Sequence, residues 1–151
     1  MRTDYQILIE YALKLVSRKR YTQKEIEKKL KGKVFATGDD IEKVIARLKE
    51  YKYINDDEYA KDFIENRARF SPRGKRLMAF ELRKKGVSKE IANKAISESE
   101  IDELDLAKQI LKRRQRVLNK LPEQKRKEKI FMILASKGFN FDTIYKAAGE
   151  C

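Results

Sequence analysis

Apolar residues recur in pairs at helical spacing along most of this chain. One pattern, an apolar residue with alanine, then an apolar pair, then a base, occurs three times with shifts of 48 (59 minus 11) and 47 (106 minus 59) positions. This spacing places the apolar side chains on one face of an amphipathic helix, although unrelated amphipathic helices can share such pairs by chance. The three copies are Tyr11-Ala12-x-x-Leu15-Val16-x-x-Lys19, Tyr59-Ala60-x-x-Phe63-Ile64-x-x-Arg67 and Leu106-Ala107-x-x-Ile110-Leu111-x-x-Arg114.

A second helix follows each of these, and its copies are related by a shift of 52 positions (78 minus 26, and 130 minus 78). Gly86 and Gly138 share that shift, and a glycine at such a point is typical of a helix end. The first copy departs, because Gly32 comes early and residues 33–38 make a longer loop. The apolar pairs of these helices are Ile26 with Leu30, Met78 with Leu82, and Ile130 with Leu134.

A third helix is predicted in each copy, over residues 39–51, 88–98 and 140–148. The residues at these three starts are of types that cap helix amides, namely Asp39, Ser88 and Asn140.

The central copy carries the clearest signals for helix starts. Asn55, with Glu58 three residues later, predicts the start of its first helix. Ser71-Pro72 predicts the start of its second helix, since proline in the first turn lacks an amide that would be unpaired there in any case.

The pattern as a whole predicts an all-α fold of three tandem three-helix repeats. No stretch alternates convincingly at period two, as a half-buried strand would. The expected repeats are residues 4–53, 54–99 and 100–149, within one helical-repeat domain of residues 1–151. Because a unit of about 50 residues is marginal alone and the linkers are short, we expect the repeats to pack into one elongated, curved body.

The net charge adds a functional clue. With 37 lysine and arginine residues against 24 acidic ones, the chain carries a formal charge of +13. Self-repulsion makes such an excess costly, and counterion release on binding nucleic acid is a common reason to keep it. An anionic membrane surface, an acidic protein groove or a merely solvated, lysine-rich surface is the alternative explanation.

The composition argues against an active site. The chain has no histidine and a single cysteine, Cys151, so histidine-assisted nucleophiles and disulfide frameworks are excluded. The acidic groups Asp39-Asp40 and Asp56-Asp57-Glu58 lie at predicted helix starts, where capping explains them better than magnesium binding. We therefore expect no catalytic residue, no metal and no cofactor. Lacking a signal peptide or a membrane-length apolar run, the protein is expected to be soluble and cytoplasmic.

The candidate binding residues are basic. From Arg67 to Lys85 there are eight basic residues against one acidic residue, Glu81. Arg67 continues a buried stripe, so we expect it to form a structural ion pair with Glu81. The predicted contacts to nucleic acid are Arg69, Arg73, Lys75, Arg76, Arg83, Lys84, Lys85, Lys112, Arg113, Arg116, Lys125 and Arg126.

The central segment resembles the RecX family of recombination regulators. The match lies in Tyr53-Ile-Asn-Asp-Asp-Glu-Tyr-Ala-x-x-Phe-Ile-x-x-Arg67 and in Gly74-Lys75-Arg76-Leu77-x-x-x-Glu81-Leu82-x-x-Lys85-Gly86-Val87. The resemblance implies a cytoplasmic bacterial protein that modulates, mostly by inhibition, the RecA recombinase in recombination, DNA repair and the SOS response. It also implies binding in the groove of the RecA-DNA filament, with basic surfaces toward single- or double-stranded DNA. The outer repeats match the family's central pattern less closely.

Two further functional hypotheses remain open. A helix-turn-helix regulator could read duplex sequence directly, since three-helix units with a basic second helix can dock in a major groove. Asparagine and glutamine, which read adenine, are sparse on these helices, and the cations are spread over three repeats. A nuclease is the least favoured class. The preferred hypothesis is a monomeric, non-enzymatic regulator that binds the filament.

Overall fold

A computed structural model describes residues 1–149, so Cys151 lies outside the described residues. Within that range the chain forms ten helices and no strand, which confirms the predicted all-α fold. The helices are α1 (Asp4–Arg18), α2 (Gln23–Lys31), α3 (Gly38–Glu50), α4 (Asp56–Phe70), α5 (Lys75–Lys84), α6 (Lys89–Glu98), α7 (Glu103–Arg113), α8 (Gln115–Leu118), α9 (Glu123–Ser136) and α10 (Phe141–Gly149).

Three of the five predicted helix caps are confirmed, and two, Asp39 and Ser71, are wrong. The side chains of Asn55, Ser88 and Asn140 each accept a hydrogen bond from a backbone amide in the first turn of α4, α6 and α10. At α3 the cap is Thr37, whose hydroxyl accepts from the amide of Asp40 at 3.2 Å. Asp39 therefore lies inside the first turn of α3 and does not precede it.

The predicted start of the central repeat's second helix is also wrong, since α5 begins at Lys75 and not at Ser71-Pro72. Arg73 accounts for the difference, because its guanidinium donates to the carbonyl and the hydroxyl of Ser71 at 3.1 and 2.6 Å. These bonds hold residues 71–74 as a loop. The serine thus engages an arginine side chain and does not cap a helix.

The short helix α8, which precedes α9, was not predicted. Leu118 of α8 is buried, and its amide donates to the carbonyl of Arg114 at 3.0 Å. Pro122 precedes α9 in an extended conformation and has no amide to donate.

The buried residues confirm the predicted apolar pattern. The alanine of each first helix, Ala12, Ala60 and Ala107, is fully buried. The three predicted apolar pairs of the second helices, six residues in all, are buried as well. Val87 and Phe139, which follow the two helix-ending glycines, are also in the core.

The chain divides into two compact units, each holding one outer repeat with part of the central repeat. Unit 1 comprises Met1–Ala60 with Leu82–Ala92, and unit 2 comprises Lys61–Glu81 with the chain from Asn93 onward. Each unit therefore contains one junction between neighbouring repeats.

The junction of unit 1 consists of hydrogen bonds at the start of α2. The hydroxyl of Thr22 donates to the carbonyl of Lys85, just past the end of α5, at 2.5 Å. The amide of Gln23 donates to the carboxylate of Asp56, in the first turn of α4, at 3.0 Å. The second helix of one repeat is thus tied to the first and second helices of the next.

The junction of unit 2 uses equivalent positions. The amide of Gly74 donates to the carbonyl of Lys137, just past the end of α9, at 2.7 Å. The amide of Lys75 donates to the carboxylate of Glu103, in the first turn of α7, at 3.3 Å. Relative to unit 1, the residues at the helix start and the accepting lysine are shifted by 52 positions (74 minus 22, and 137 minus 85).

A glycine closes each junction. Gly86 and Gly138 have φ values of 95° and 82°, which confirms the predicted left-handed helix ends. A Cβ at Gly86 would lie 2.5 Å from the Cβ of Lys24, and one at Gly138 would lie 2.5 Å from the Cβ of Leu77. Both glycines are therefore required by conformation and by the close approach of the neighbouring repeat's second helix.

Asp56 shows the desolvation that accompanies this packing. Burial raises the pKa of its carboxyl above the ordinary value of 3.8, although the hydrogen bond from Gln23 and the charge of Lys49 act to lower it. The carboxylate lies partly out of water because it is held between two repeats.

Replacing Gly138 with alanine tests the junction. We expect a loss of about 2–4 kcal/mol in the free energy of unfolding, because alanine disfavours the left-handed conformation and its Cβ would overlap Leu77. Urea denaturation followed by circular dichroism measures this loss.

Gly38→Ala is the matched control, because Gly38 begins α3 and a methyl group there would have no described neighbouring atom within 4 Å. Alanine at this position should be neutral or stabilise by up to about 1 kcal/mol. Equal effects of the two substitutions would contradict the role given to Gly138.

Candidate nucleic-acid interface

The predicted cations of the central repeat are concentrated at the end of α5. Arg83 and Lys84 occupy its last turn and are exposed, and Lys85 follows and is partly buried. Cations are favoured at a helix carboxyl end because they oppose its partial negative charge. The partial negative charge of the helix end thus explains why one or two basic residues are tolerated there.

In unit 1, Lys85 lies at the junction with a second lysine, Lys24. The carbonyl of Lys85 is held by Thr22, and Lys24 of α2 packs against the adjoining Gly86. The side chain of Lys24 is exposed. Two lysines that are 61 positions apart in sequence (85 minus 24) therefore belong to neighbouring segments of unit 1.

In unit 2, the bases at the corresponding positions are Arg76 and Lys137. Both are shifted by 52 positions from their counterparts (76 minus 24, and 137 minus 85). Arg76 is exposed and adjoins Leu77, which packs against Gly138, while Lys137 is partly buried and its carbonyl accepts from Gly74. We call these four basic residues, Lys24 and Lys85 in unit 1 and Arg76 and Lys137 in unit 2, the junction cations.

Sequence reasoning missed two of the four junction cations as site residues. Lys24 and Lys137 were not among the predicted contacts, whereas Arg76 and Lys85 were. A signal was present, because the shift that relates Gly86 to Gly138 also relates these lysines to predicted contacts.

Arg73, a predicted nucleic-acid contact, is engaged inside unit 2. Its Nη1 donates to both carboxylate oxygens of Glu81 at 2.7 and 2.8 Å. The side chains of Arg73 and Glu81 are only 16% and 22% exposed. This strong, charge-assisted contact ties the 71–74 loop to α5 and leaves little of the guanidinium open to a phosphate.

Arg67 approaches the same carboxylate at a longer distance. Its Nε lies 3.9 Å from Oε2 of Glu81, and its side chain is 28% exposed. The guanidinium carbon lies 4.4 Å from the centre of the Phe63 ring, within cation–π range. Within the described chain, the buried Nε donates no hydrogen bond. Two arginines thus share one carboxylate, which leaves a net positive charge.

The remaining predicted contacts lie at several places in unit 2. Arg69 is exposed, with its guanidinium carbon 5.5 Å from the ring centre of Phe70. Lys75 is partly buried, and its backbone amide donates a hydrogen bond to the carboxylate of Glu103. In the third repeat most are exposed, with Arg126 partly buried; these are Lys112 and Arg113 of α7, Arg116 of α8, and Lys125 and Arg126 of α9.

The described residues offer no arrangement for metal chemistry. Among residues 1–149, no group of three or more His, Cys, Asp or Glu side chains is placed to hold a metal ion. In the same range, none of the helices combines the length and apolar character needed to cross a membrane. What the interface offers is cations held at defined backbone positions.

Comparison with family models matches the whole helical region. Models of the first, second and third three-helix domains of RecX match residues 9–48, 55–96 and 100–148 in order. The matched segments follow the three predicted repeats along the chain.

Individual proteins give the same result. The regulatory protein RecX of Clostridium perfringens (strain 13 / Type A) is 36% identical over 134 residues, covering 87% of this chain and 62% of that protein. The chain also spans only 66% of its relative in Caldanaerobacter subterraneus. The regulatory protein RecX of Prosthecochloris aestuarii is 31% identical over 153 residues, covering 98% of this chain and 95% of that protein.

A solved structure agrees with the fold. The crystal structure of RecX from Lactobacillus salivarius superposes with a TM-score of 0.86 at 26% identity, covering 97% of this chain and 96% of that one.

Replacing Arg73 with glutamine is expected to lower the free energy of unfolding by about 1.5–3 kcal/mol, since Glu81 loses its short charge-assisted bonds. Arg67→Gln should cost less, because its approach to Glu81 is longer. Chemical denaturation of both variants, with exposed Arg69→Gln as a control near zero, measures the ranking. A larger loss at Arg67 than at Arg73 would show that the long contact is the stronger one.

Proposed function

The chain belongs to the RecX family, and on that premise we propose that it regulates a RecA-type recombinase by binding the recombinase filament on DNA. Its matched relatives are named as regulatory proteins, and we propose the same kind of role here, without catalysis. The expected effect is mostly inhibition of the recombinase's ATPase and strand-exchange activities. The protein would act as a monomer in the cytoplasm, during recombination and DNA repair.

The observation that carries this proposal is the repeated placement of cations at the junctions. Lys24 with Lys85 in unit 1, and Arg76 with Lys137 in unit 2, are set by the backbone contacts that join the repeats. Basic side chains at repeated positions suit a ligand with repeated negative charge, and DNA, with its regularly spaced phosphates, is such a ligand. The formal charge of +13 adds a long-range attraction to the same ligand.

Phosphate contact predicts affinity with little dependence on base sequence. Arginine can bind a phosphate with two parallel hydrogen bonds, and lysine acts as a point charge. Neither reads base identity through the backbone. Single- and double-stranded DNA in a filament would both offer the required phosphates.

The geometry disfavours the alternative of a sequence-reading helix-turn-helix protein. A recognition helix contacts base edges with its amino-terminal residues. In unit 1 the start of α2 is bonded to Asp56 and Lys85, and in unit 2 the start of α5 is bonded to Glu103 and Lys137. These two helix starts are occupied by the next repeat.

The test is a titration of the protein into strand-exchange and ATPase reactions of the recombinase from the same source. We expect both activities to fall as the protein approaches the filament's concentration. Unchanged activities at saturating protein would overturn the proposal.

A triple variant, Arg83→Ala with Lys84→Ala and Lys85→Ala, tests the cationic contact. It should flatten the log-log salt dependence of DNA binding by up to about two units, since each lost phosphate contact contributes roughly 0.7 to 0.9. It should also inhibit the recombinase poorly while retaining its helix content.

The matched control replaces three exposed basic residues of the first repeat, Lys14, Arg18 and Lys43, with alanine. This control should keep most of the salt dependence and the inhibition. A triple variant that retains both properties contradicts the role assigned to the end of α5. A preference of at least about a thousandfold for one DNA sequence would favour the sequence-reading alternative.

A further inference from the structure

The third repeat carries three contiguous aromatic rings on its surface. Phe131 of α9 meets Phe141 of α10 edge-on, with ring centres 5.9 Å apart and an interplanar angle of 63°. Phe141 stacks on Tyr145 with centres 6.1 Å apart and an angle of 25°. The three residues are 45%, 67% and 72% exposed, in chain order. We call them the aromatic triad.

The three-helix fold does not account for these rings. The core beneath them is supplied by other residues of the same helices, Ile130, Leu134 and Ile144, which are buried. At the positions 52 residues earlier, the central repeat has Ala79, Lys89 and Asn93 (131, 141 and 145, each minus 52). A repeat of the same design therefore forms with small or polar residues in place of all three rings.

The surroundings of the triad are cationic on one side. The two turns of α9 that precede Phe131 carry Lys125, Arg126, Lys127 and Lys129. Two nearby ion pairs are neutral overall, Glu123 with Lys127 at 3.5 Å and Asp142 with Lys146 at 3.2 Å, so Lys125, Arg126 and Lys129 supply the positive excess. Glu128 accepts a hydrogen bond from Gln124 at 3.3 Å.

Exposed rings beside phosphate-binding cations suit one ligand, an unpaired nucleic-acid strand. Every base has a flat face that stacks on an aromatic side chain, and each stacked base contributes about 1–3 kcal/mol. A duplex hides these faces between its own base pairs. We infer that the aromatic triad is a stacking platform for bases, through which the third repeat binds single-stranded nucleic acid in preference to duplex.

This inference deepens the proposed function and rests on it for the biological source of the strand. The proposed function requires only phosphates, which both strand types provide, whereas stacking requires accessible bases. The platform would give a cationic surface its preference for single strands.

The test compares two single-stranded probes with the same phosphates, an oligothymidine and an abasic oligodeoxyribose phosphate of equal length, each labelled for fluorescence anisotropy. A duplex of equal length is the third probe, and no recombinase is present. The wild-type protein should bind the oligothymidine most tightly. The variant Phe141→Leu with Tyr145→Leu should lose about tenfold to a hundredfold on oligothymidine. Its affinities for the abasic strand and the duplex should be unchanged.

Phe35→Leu is the matched control, because Phe35 is 39% exposed and lies in the first repeat, outside the aromatic triad. It should bind all three probes like the wild type. Tyr145→Leu alone provides a milder variant if the double substitution lowers stability, and it should show a smaller loss confined to the oligothymidine.

Two results would overturn the inference. Unchanged binding of oligothymidine by the variants would show that no base stacks on the triad, and a loss of inhibition by the same variants in a separate strand-exchange reaction would then assign the triad to a protein surface. Equal losses on all three probes would show a general electrostatic or structural effect. A wild-type protein that prefers oligothymidine but never inhibits a recombinase would contradict only the proposed function.

Discussion

Neighbouring repeats are joined through backbone groups that their own helices leave unpaired. The first amides of a helix and the last carbonyls have no partner within it, and each junction pairs such groups with each other or with a side chain of the neighbouring repeat. In unit 1 the carbonyl of Lys85 and the amide of Gln23 are paired in this way, and in unit 2 those of Lys137 and Lys75 are. The contact depends on a close approach that only glycine permits at positions 86 and 138. The rest of each unit is built around this joint, because burying the helix ends without partners would cost several hydrogen bonds.

The same joint gives the surface its chemistry. Each junction brings the start of one repeat's second helix against the end of the second helix in the next repeat. Each of these two helix ends carries a basic residue. Because these backbone segments are held by the junction, the starting points of the side chains are fixed; Lys24 and Arg76 are exposed, and Lys85 and Lys137 are partly buried. Such a surface suits phosphates, which require charge at a suitable spacing more than a shaped pocket. The aromatic triad does not belong to a junction, and it adds a contact that depends on the nucleobases.

The sequence was sufficient for the features that periodicity encodes. The buried alanines, the apolar pairs of the second helices and the glycine ends all follow from local spacing, and the structure has them where expected. The error at the start of α5 arose because a side-chain contact outweighed the local capping signal. Ser71-Pro72 has the form of a helix start, but Arg73 engages both Ser71 and Glu81 and delays the helix to Lys75. Sequence pattern also could not rank Arg67 against Arg73 as partners of Glu81, because that ranking depends on the path of the loop between them.

The central claim, that the junctions themselves position the phosphate-binding cations, is tested by neutralising those cations in pairs. Lys24→Gln with Lys85→Gln and Arg76→Gln with Lys137→Gln would be compared with Lys14→Gln plus Lys43→Gln, which makes the same charge change away from a junction. The measurement is the slope of log affinity for DNA against log salt concentration. Each junction pair should flatten the slope by about 1.4–1.8 units, and the control pair should flatten it by much less. Equal flattening by all three pairs would contradict the account, because net charge alone would then explain the binding.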